Sequence, residues 1–281
     1  MAAGAILITP TVQVNAFLWG QADCVYTCCL VFFVVFASRG IPSLAAVMFG
    51  AALSFKLQSL FLAPFLLYLL LSGQMRGWTL LLIPATYTVM MIPAALAGRP
   101  WIDLFTVYVR QGGAFKDLSH SAPNPWLLIQ HFDLVSYKTG ILIGLPLAAF
   151  VGLVVTIGGL RLRTSAASNL LIATSCAALM PYVLPKMHER YFFVADVLTI
   201  ALAFVRPRYW SAAVLFQIGS LAGYVSYFEH ARRAQYLGIV PLALAIGVIV
   251  VSYVNAEKPH RISVGVVLRR IADSIKRPAP V

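Results

Sequence analysis

The sequence predicts an all-α fold, a polytopic bundle of about ten transmembrane helices. Three observations lead there. Of 281 residues, 60% are hydrophobic and only 11% carry charge, against about 25% in a typical soluble domain. Mean hydropathy is +0.86. The apolar residues fall into runs approaching the ~20 residues that a helix needs to cross a bilayer, without the period-two alternation of a membrane barrel.

In chain order, a first run covers 4–18 and is interrupted by Pro10, Gln13 and Asn15. GQAD at 20–23 breaks it, and a second run follows at 23–38. Arg39-Gly40-Ile41-Pro42 reads as a tight turn. A third run at 42–55 and a fourth at 58–72 meet at FKLQ, 55–58. A short loop with Arg76 leads to a fifth run at 78–97.

The only long polar stretch covers 99–138 and predicts an external loop over 98–138. Within it, Trp101, Phe105 and Tyr108 recur at helical spacing, which predicts an interfacial helix over 101–110. The remaining runs cover 139–160, 168–185, 191–205, 209–228 and 236–254. The expected organisation is a transmembrane domain over 1–254 and a basic tail over 255–281.

The net charge of +12 does not require nucleic acid as a partner, because Lys and Arg collect in the cytoplasmic loops of membrane proteins. With the basic tail placed in the cytoplasm, alternation puts Arg39, Arg76, Arg161-Arg163 and Arg206-Arg208 on the same side. It puts Asp23, Lys56 to Gln58, the long loop, His188-Glu189 and 229–233 together on the other. The tail is the expected contact with anionic lipid. Cys24, Cys28, Cys29 and Cys176 all lie in apolar runs and read as small core residues. The start of the chain has neither a positive n-region nor a small-residue cleavage site, so a signal peptide is not expected.

Chemistry concentrates in PKMHERYF at 185–192. A charge at the centre of a membrane helix costs about 2.5–3.5 kcal/mol, so this cluster belongs at a wet helix end or in a cavity. If Pro185 ends one helix, the next begins near His188, and its free N–H groups favour an anion. Lys186, His188 and Arg190 add cationic donors. Glu189 can orient His188, act as a base or accept hydroxyl hydrogen bonds. The plain alternative is a solvated loop with an internal ion pair.

Asp23 is either a helix N-cap or a carboxylate at the rim of an outward cavity. Lys56 either snorkels or meets a phosphate at the junction of two short helices. Pro123 and Pro125 fix an extended turn around Asn124, beside Trp126. That rigid turn reads as a wall of a binding site, and Trp126 and Trp101 either stack on a sugar ring or sit in the interfacial aromatic belt. Asp196, seven residues past Glu189, is either part of a buried relay or bonded to a neighbouring helix. The sequence contains no P-loop, no GxGxxG, no Ser/His/Asp arrangement and no zinc spacing.

WGQAD at 19–23, LSFKLQSLFLAPF at 53–65, SAPNPW at 121–126 and PKMHERYFF at 185–193 occur in this order. Together they resemble the bacterial polytopic glycosyltransferases of the GT-C superfamily, relatives of the enzymes that use dolichyl-phosphate mannose and glucose. The resemblance covers about residues 10 to 254.

It implies an inverting hexosyltransferase in the bacterial inner membrane, active on the external face, with a cytoplasmic C-terminus. The donor would be a polyprenyl-phosphate sugar and the acceptor a glycan, lipid or protein. It implies catalytic roles for Glu189, His188 and Asp23. Lys56, Gln58, Arg190 and Lys186 would hold the donor phosphate, and Gln21, Asn124, Trp126 and Tyr191 would contact substrate. No cofactor is required by the sequence, and a divalent metal is left open.

In the superfamily the catalytic acid usually sits in the first external loop, after the first membrane helix. This chain has no such loop. The expectation is therefore the C-terminal part of a longer enzyme, with a separate N-terminal half as a possible partner. A transporter or lipid flippase using Asp196, Glu189 and Lys56 is the alternative, and a lipid-binding scaffold is a third reading.

Overall fold

The computed structural model describes residues 1–111 and 116–256. The basic tail from residue 257 onward, and its expected lipid contact, lie outside the described residues. Nearly all of the rest is helical.

The first apolar run is a broken rod. α1 (Ala2–Ile8) ends at Thr9, whose backbone is extended, and α2 (Pro10–Val12) restarts with a proline that lacks the N–H to continue the ladder. A π-turn, Gln13–Leu18, follows. Gly20, at φ +66°, turns the chain into α3 (Asp23–Ser38).

Gly40, at φ +72°, and Pro42 at the first helical position turn it again into α4 (Pro42–Phe55). Lys56 is extended, and a 3-10 turn, Leu57–Leu62, leads into α5 (Ala63–Leu71). The 3-10 turn Gly77–Leu81 leads into α6 (Leu82–Leu96).

α7 (Trp101–Gln111) is the expected amphipathic helix. Trp101 stacks on Phe105, and the Tyr108 hydroxyl donates to the Leu53 carbonyl at 2.5 Å. A two-residue strand, β1 (Ser119–His120), and α8 (Pro125–His131) complete the loop.

α9 (Tyr137–Gly159) and α10 (Ala166–Val183) start at Ser136 and Ser165, whose side chains accept from N–H groups three residues on. After α10 come β2 (Met187–His188), the 3-10 turn Glu189–Phe192 and α11 (Phe193–Val205). The 3-10 turn Pro207–Tyr209 opens α12 (Trp210–Phe228), and α13 (Arg232–Val254) is the last described helix.

Among the described residues five helices are long and apolar enough to cross a membrane: Gly77–Leu96, Tyr137–Gly159, Ala166–Val183, Pro207–Phe228 and Arg233–Val254. Asp23–Ser38, Pro42–Phe55 and Leu57–Leu71 are apolar but shorter. At 1.5 Å per residue, a 14-residue helix spans about 21 Å, less than the ~30 Å hydrocarbon core.

α10 is the central helix. Ala173, Cys176, Ala177 and Ala178 are buried in it, and small side chains of this kind let neighbouring backbones approach. α9 and α13 instead turn Leu142, Phe150, Leu153, Leu237 and Val240 outward, as a lipid-facing surface requires.

α12 and α13 touch backbone to backbone. A Cβ on Gly238 would stand 2.6 Å from the Gly219 carbonyl oxygen, so only glycine fits there. The cysteines correct one expectation: Cys176 is in the core, but Cys24 and Cys28 are exposed.

Candidate functional site

The loop before α8 and the segment after α10 are tied together by a short parallel pairing. Ser119 pairs with Met187 and His120 with His188. The Lys186 N–H donates to the Leu118 carbonyl at 2.7 Å. Ser121 and Lys186 adopt positive φ, 56° and 65°, a region costly for side-chain-bearing residues. The pairing fixes where the next residues point, and hence the position of Glu189.

Around that segment, four charged side chains from distant parts of the chain converge. Asp23, the first residue of α3, is fully buried and does not cap its own helix. It forms an ion pair with Lys56, from the end of α4. Its second oxygen accepts from the Asn15 amide at 2.9 Å, and the same Asn15 nitrogen lies 2.9 Å from the Tyr224 hydroxyl. The Lys56 ammonium also stands 5.8 Å from the Tyr26 ring centre.

Glu189 opens the 3-10 turn before α11 and is only 1% exposed. One of its carboxylate oxygens has no partner among the described residues. Burial raises its pKa to about 7; Asp23 pushes in the same direction, while its own and the Arg190 N–H and the Arg190 charge oppose. A Cβ on Gly223 would sit 3.1 Å from the Glu189 Cβ, so α12 forms a close wall behind it.

Arg190 lies over Trp19, 5.0 Å from guanidinium to ring centre, and its buried Nε has no partner among the described residues. Trp19 is held by Tyr224, Tyr227 and Phe228 at 6.0, 4.7 and 5.0 Å.

His188 lies 4.8 Å from the His120 ring and 5.0 Å from the Tyr191 ring. Burial first, then the neighbouring His120, Arg190 and Lys56, lower its pKa to about 4. At neutral pH it is therefore an uncharged imidazole, and its contribution is an N–H or a lone pair rather than the cation expected from the sequence. Gln58 stands beside the Tyr191 hydroxyl.

No family model matches the chain. No curated protein matches it either.

Of the residues singled out from sequence, the structure brings together Asp23, Lys56, Gln58, His188, Glu189, Arg190 and Tyr191. Gln21 joins through its backbone, whose N–H donates to the Asn15 carbonyl at 3.0 Å. Lys186 lies elsewhere, with its ammonium 5.5 Å from the Tyr137 ring centre.

Asn124 and Trp126 are buried, and both bond the end of α10. The Asn124 amide reaches the carbonyls of Pro181 and Leu184 at 3.2 and 3.3 Å, and the Trp126 indole that of Val183 at 2.5 Å. Those carbonyls have lost their helical donors, so the two side chains cap a helix end.

Asp196 bonds a neighbouring helix, accepting from Ser220 at 2.8 Å. Sequence reasoning missed Asn15 as a partner, Tyr224, His120 and Gly223. Only Asn15 left a signal, as a polar residue interrupting an apolar run. Among the described residues no group of three His, Cys, Asp or Glu has the arrangement of a metal site.

Proposed function

We propose that the chain is a polytopic glycosyltransferase of the kind its motifs resemble, moving a hexose of mannose or glucose type from a polyprenyl-phosphate donor to an acceptor glycan, lipid or protein. One observation carries the reading: Asp23, Lys56, Glu189 and Arg190, from three separate segments, meet at the helix ends around the 185–192 motif. In this reading the shorter apolar helices complete about ten membrane-crossing segments. The site faces the outside of a bacterial plasma membrane and the tail faces the cytoplasm.

The chemistry asks little of the protein. The acceptor hydroxyl attacks the anomeric carbon, the bond from that carbon to the phosphate oxygen breaks, and the phosphate leaves with the electron pair. Glu189 takes the hydroxyl proton; a base titrating near 7 suits that role at neutral pH. Lys56 and Arg190 offset the charge growing on the phosphate. Asp23 holds the Lys56 ammonium in place.

One observation favours a second reading, transport. Asp196 is fully buried and one of its oxygens has no partner among the described residues. It sits beside a polar group formed by Ser220, Gln217 and Thr11.

Radiolabelled polyprenyl-phosphate mannose and glucose, offered to membranes holding the chain, separate the two. Transfer that disappears with Glu189→Gln supports the enzyme. No transfer from either donor overturns it.

A further inference from the structure

At the ends of α10, α11 and α12 away from Glu189 lies a cavity of about 470 Å³. Arg163, Arg206 and Arg208 line it, with Thr164, Ser165 and Ser168. Three guanidinium groups thus share one concave space, brought there from the α9–α10 turn and the α11–α12 turn. Among the described residues no carboxylate lines the cavity, and their ion pairs leave all three arginines without an acidic partner. The Arg208 guanidinium donates to the Tyr209 hydroxyl at 3.1 Å and stacks over that ring at 5.0 Å, which orders it without neutralising it.

The remaining wall is mixed. α10 begins there: the Ser165 hydroxyl takes the Ser168 N–H, and the N–H groups of Ala166 and Ala167 have no acceptor within the helix. α11 and α13 end there, at Arg206 and Asn255, so their negative ends offset the positive end of α10 and the three guanidinium groups carry the charge of the cavity. The lining residues stand at the ends of α9 to α13, where the headgroups of a bilayer crossed by α9, α10, α12 and α13 would lie.

We propose that this cavity is a second binding site, for a phosphate-bearing ligand, at the end of the molecule opposite the Glu189 cluster. Arginine forks match phosphate oxygens in pairs, and basic pockets between membrane helices take anionic headgroups. The cavity holds one headgroup. The site does not depend on what reaction, if any, the chain performs at Glu189.

The test uses the full chain purified in a neutral detergent. Native mass spectrometry counts bound phosphatidylglycerol against phosphatidylcholine, and inorganic phosphate is titrated alone in a parallel arm. The wild type is expected to retain phosphatidylglycerol selectively. Arg163→Gln/Arg206→Gln/Arg208→Gln is expected to lower that affinity by about tenfold to a hundredfold. Arg163→Gln and Arg208→Gln alone, at exposed positions, are expected to lower it by a smaller factor, and they serve if the triple variant does not fold.

Saturable binding of inorganic phosphate, lost in the same variants, assigns the site to free phosphate rather than lipid. The control is Arg39→Gln/Arg76→Gln, which removes two charges that do not line the cavity. If it loses as much lipid as the cavity variants, or if neither lipid nor phosphate distinguishes wild type from variant, the proposal is overturned.

Discussion

Lys56 and Asp23, 33 positions apart in the chain, form one ion pair in which the Asp23 side chain is fully buried and the Lys56 side chain is only 18% exposed. The pair joins the end of α4 to the start of α3, and it stands next to Glu189. A buried carboxylate of this kind is stable only while its cation is present.

Removing Lys56 alone is therefore expected to be costly. Lys56→Met leaves Asp23 with only the Asn15 amide and should destabilise the chain by about 3 kcal/mol. Lys56→Met/Asp23→Asn removes both charges and should recover much of that loss. Thermal unfolding in detergent of the two single variants and the double variant measures the coupling.

Glu189 and His188 are adjacent, and their proton linkages oppose each other. Between 4.5 and about 7, folded Glu189 keeps a proton that the unfolded chain has released. Stability from that group therefore falls as pH rises through the window, by about 3 kcal/mol in all. Between about 4 and 6.5, the unfolded chain binds a proton at His188 that the folded chain refuses. Stability from that group is present above 6.5 and is lost as pH falls toward 4.

The wild type should thus show a flat stability profile across pH 4.5–6.5. Glu189→Gln should steepen it, with acid destabilising. His188→Gln should tilt it the other way. Melting temperatures of the three proteins at pH 5 and pH 7.5 test this, and parallel profiles would count against it.

If Glu189 is the proton acceptor, sugar transfer should rise with pH and level off above about 7. Glu189→Gln should abolish transfer at every pH, whereas Glu189→Asp should retain a fraction of it. The pH–rate profile of the wild type is the measurement.

Gly238 faces the Gly219 carbonyl too closely for any side chain. Gly238→Val should force α12 from α13 and cost about 1–3 kcal/mol, as overpacking does. Because α12 also backs Glu189 through Gly223, the same variant should lower activity. The melting temperature and the transfer rate of one preparation report both effects.

Trp126→Phe keeps the ring but removes the donor to the Val183 carbonyl. It should cost about 1 kcal/mol of stability and leave the KM for a sugar donor unchanged. A raised KM would mean that the indole touches substrate.

The sequence by itself determined the class of fold and the position of most of the helices. Apolar runs broken by Pro10, Gly20, Gly40 and Gly73 to Gly77 give the helix boundaries, because membrane-scale hydropathy and turn chemistry are local properties. It also pointed to 185–192, since a charged cluster among apolar runs is costly unless it has a role.

Tertiary structure alone decided which of those charges meet. Asp23 as partner of Lys56 rather than N-cap, Asn124 and Trp126 as caps of α10, and His188 as an uncharged imidazole follow from burial and from the β1–β2 pairing. These depend on contacts between segments many residues apart. The Arg163, Arg206 and Arg208 cavity has the same origin: each arginine looks in sequence like an ordinary loop charge, and only helix packing places the three around one space.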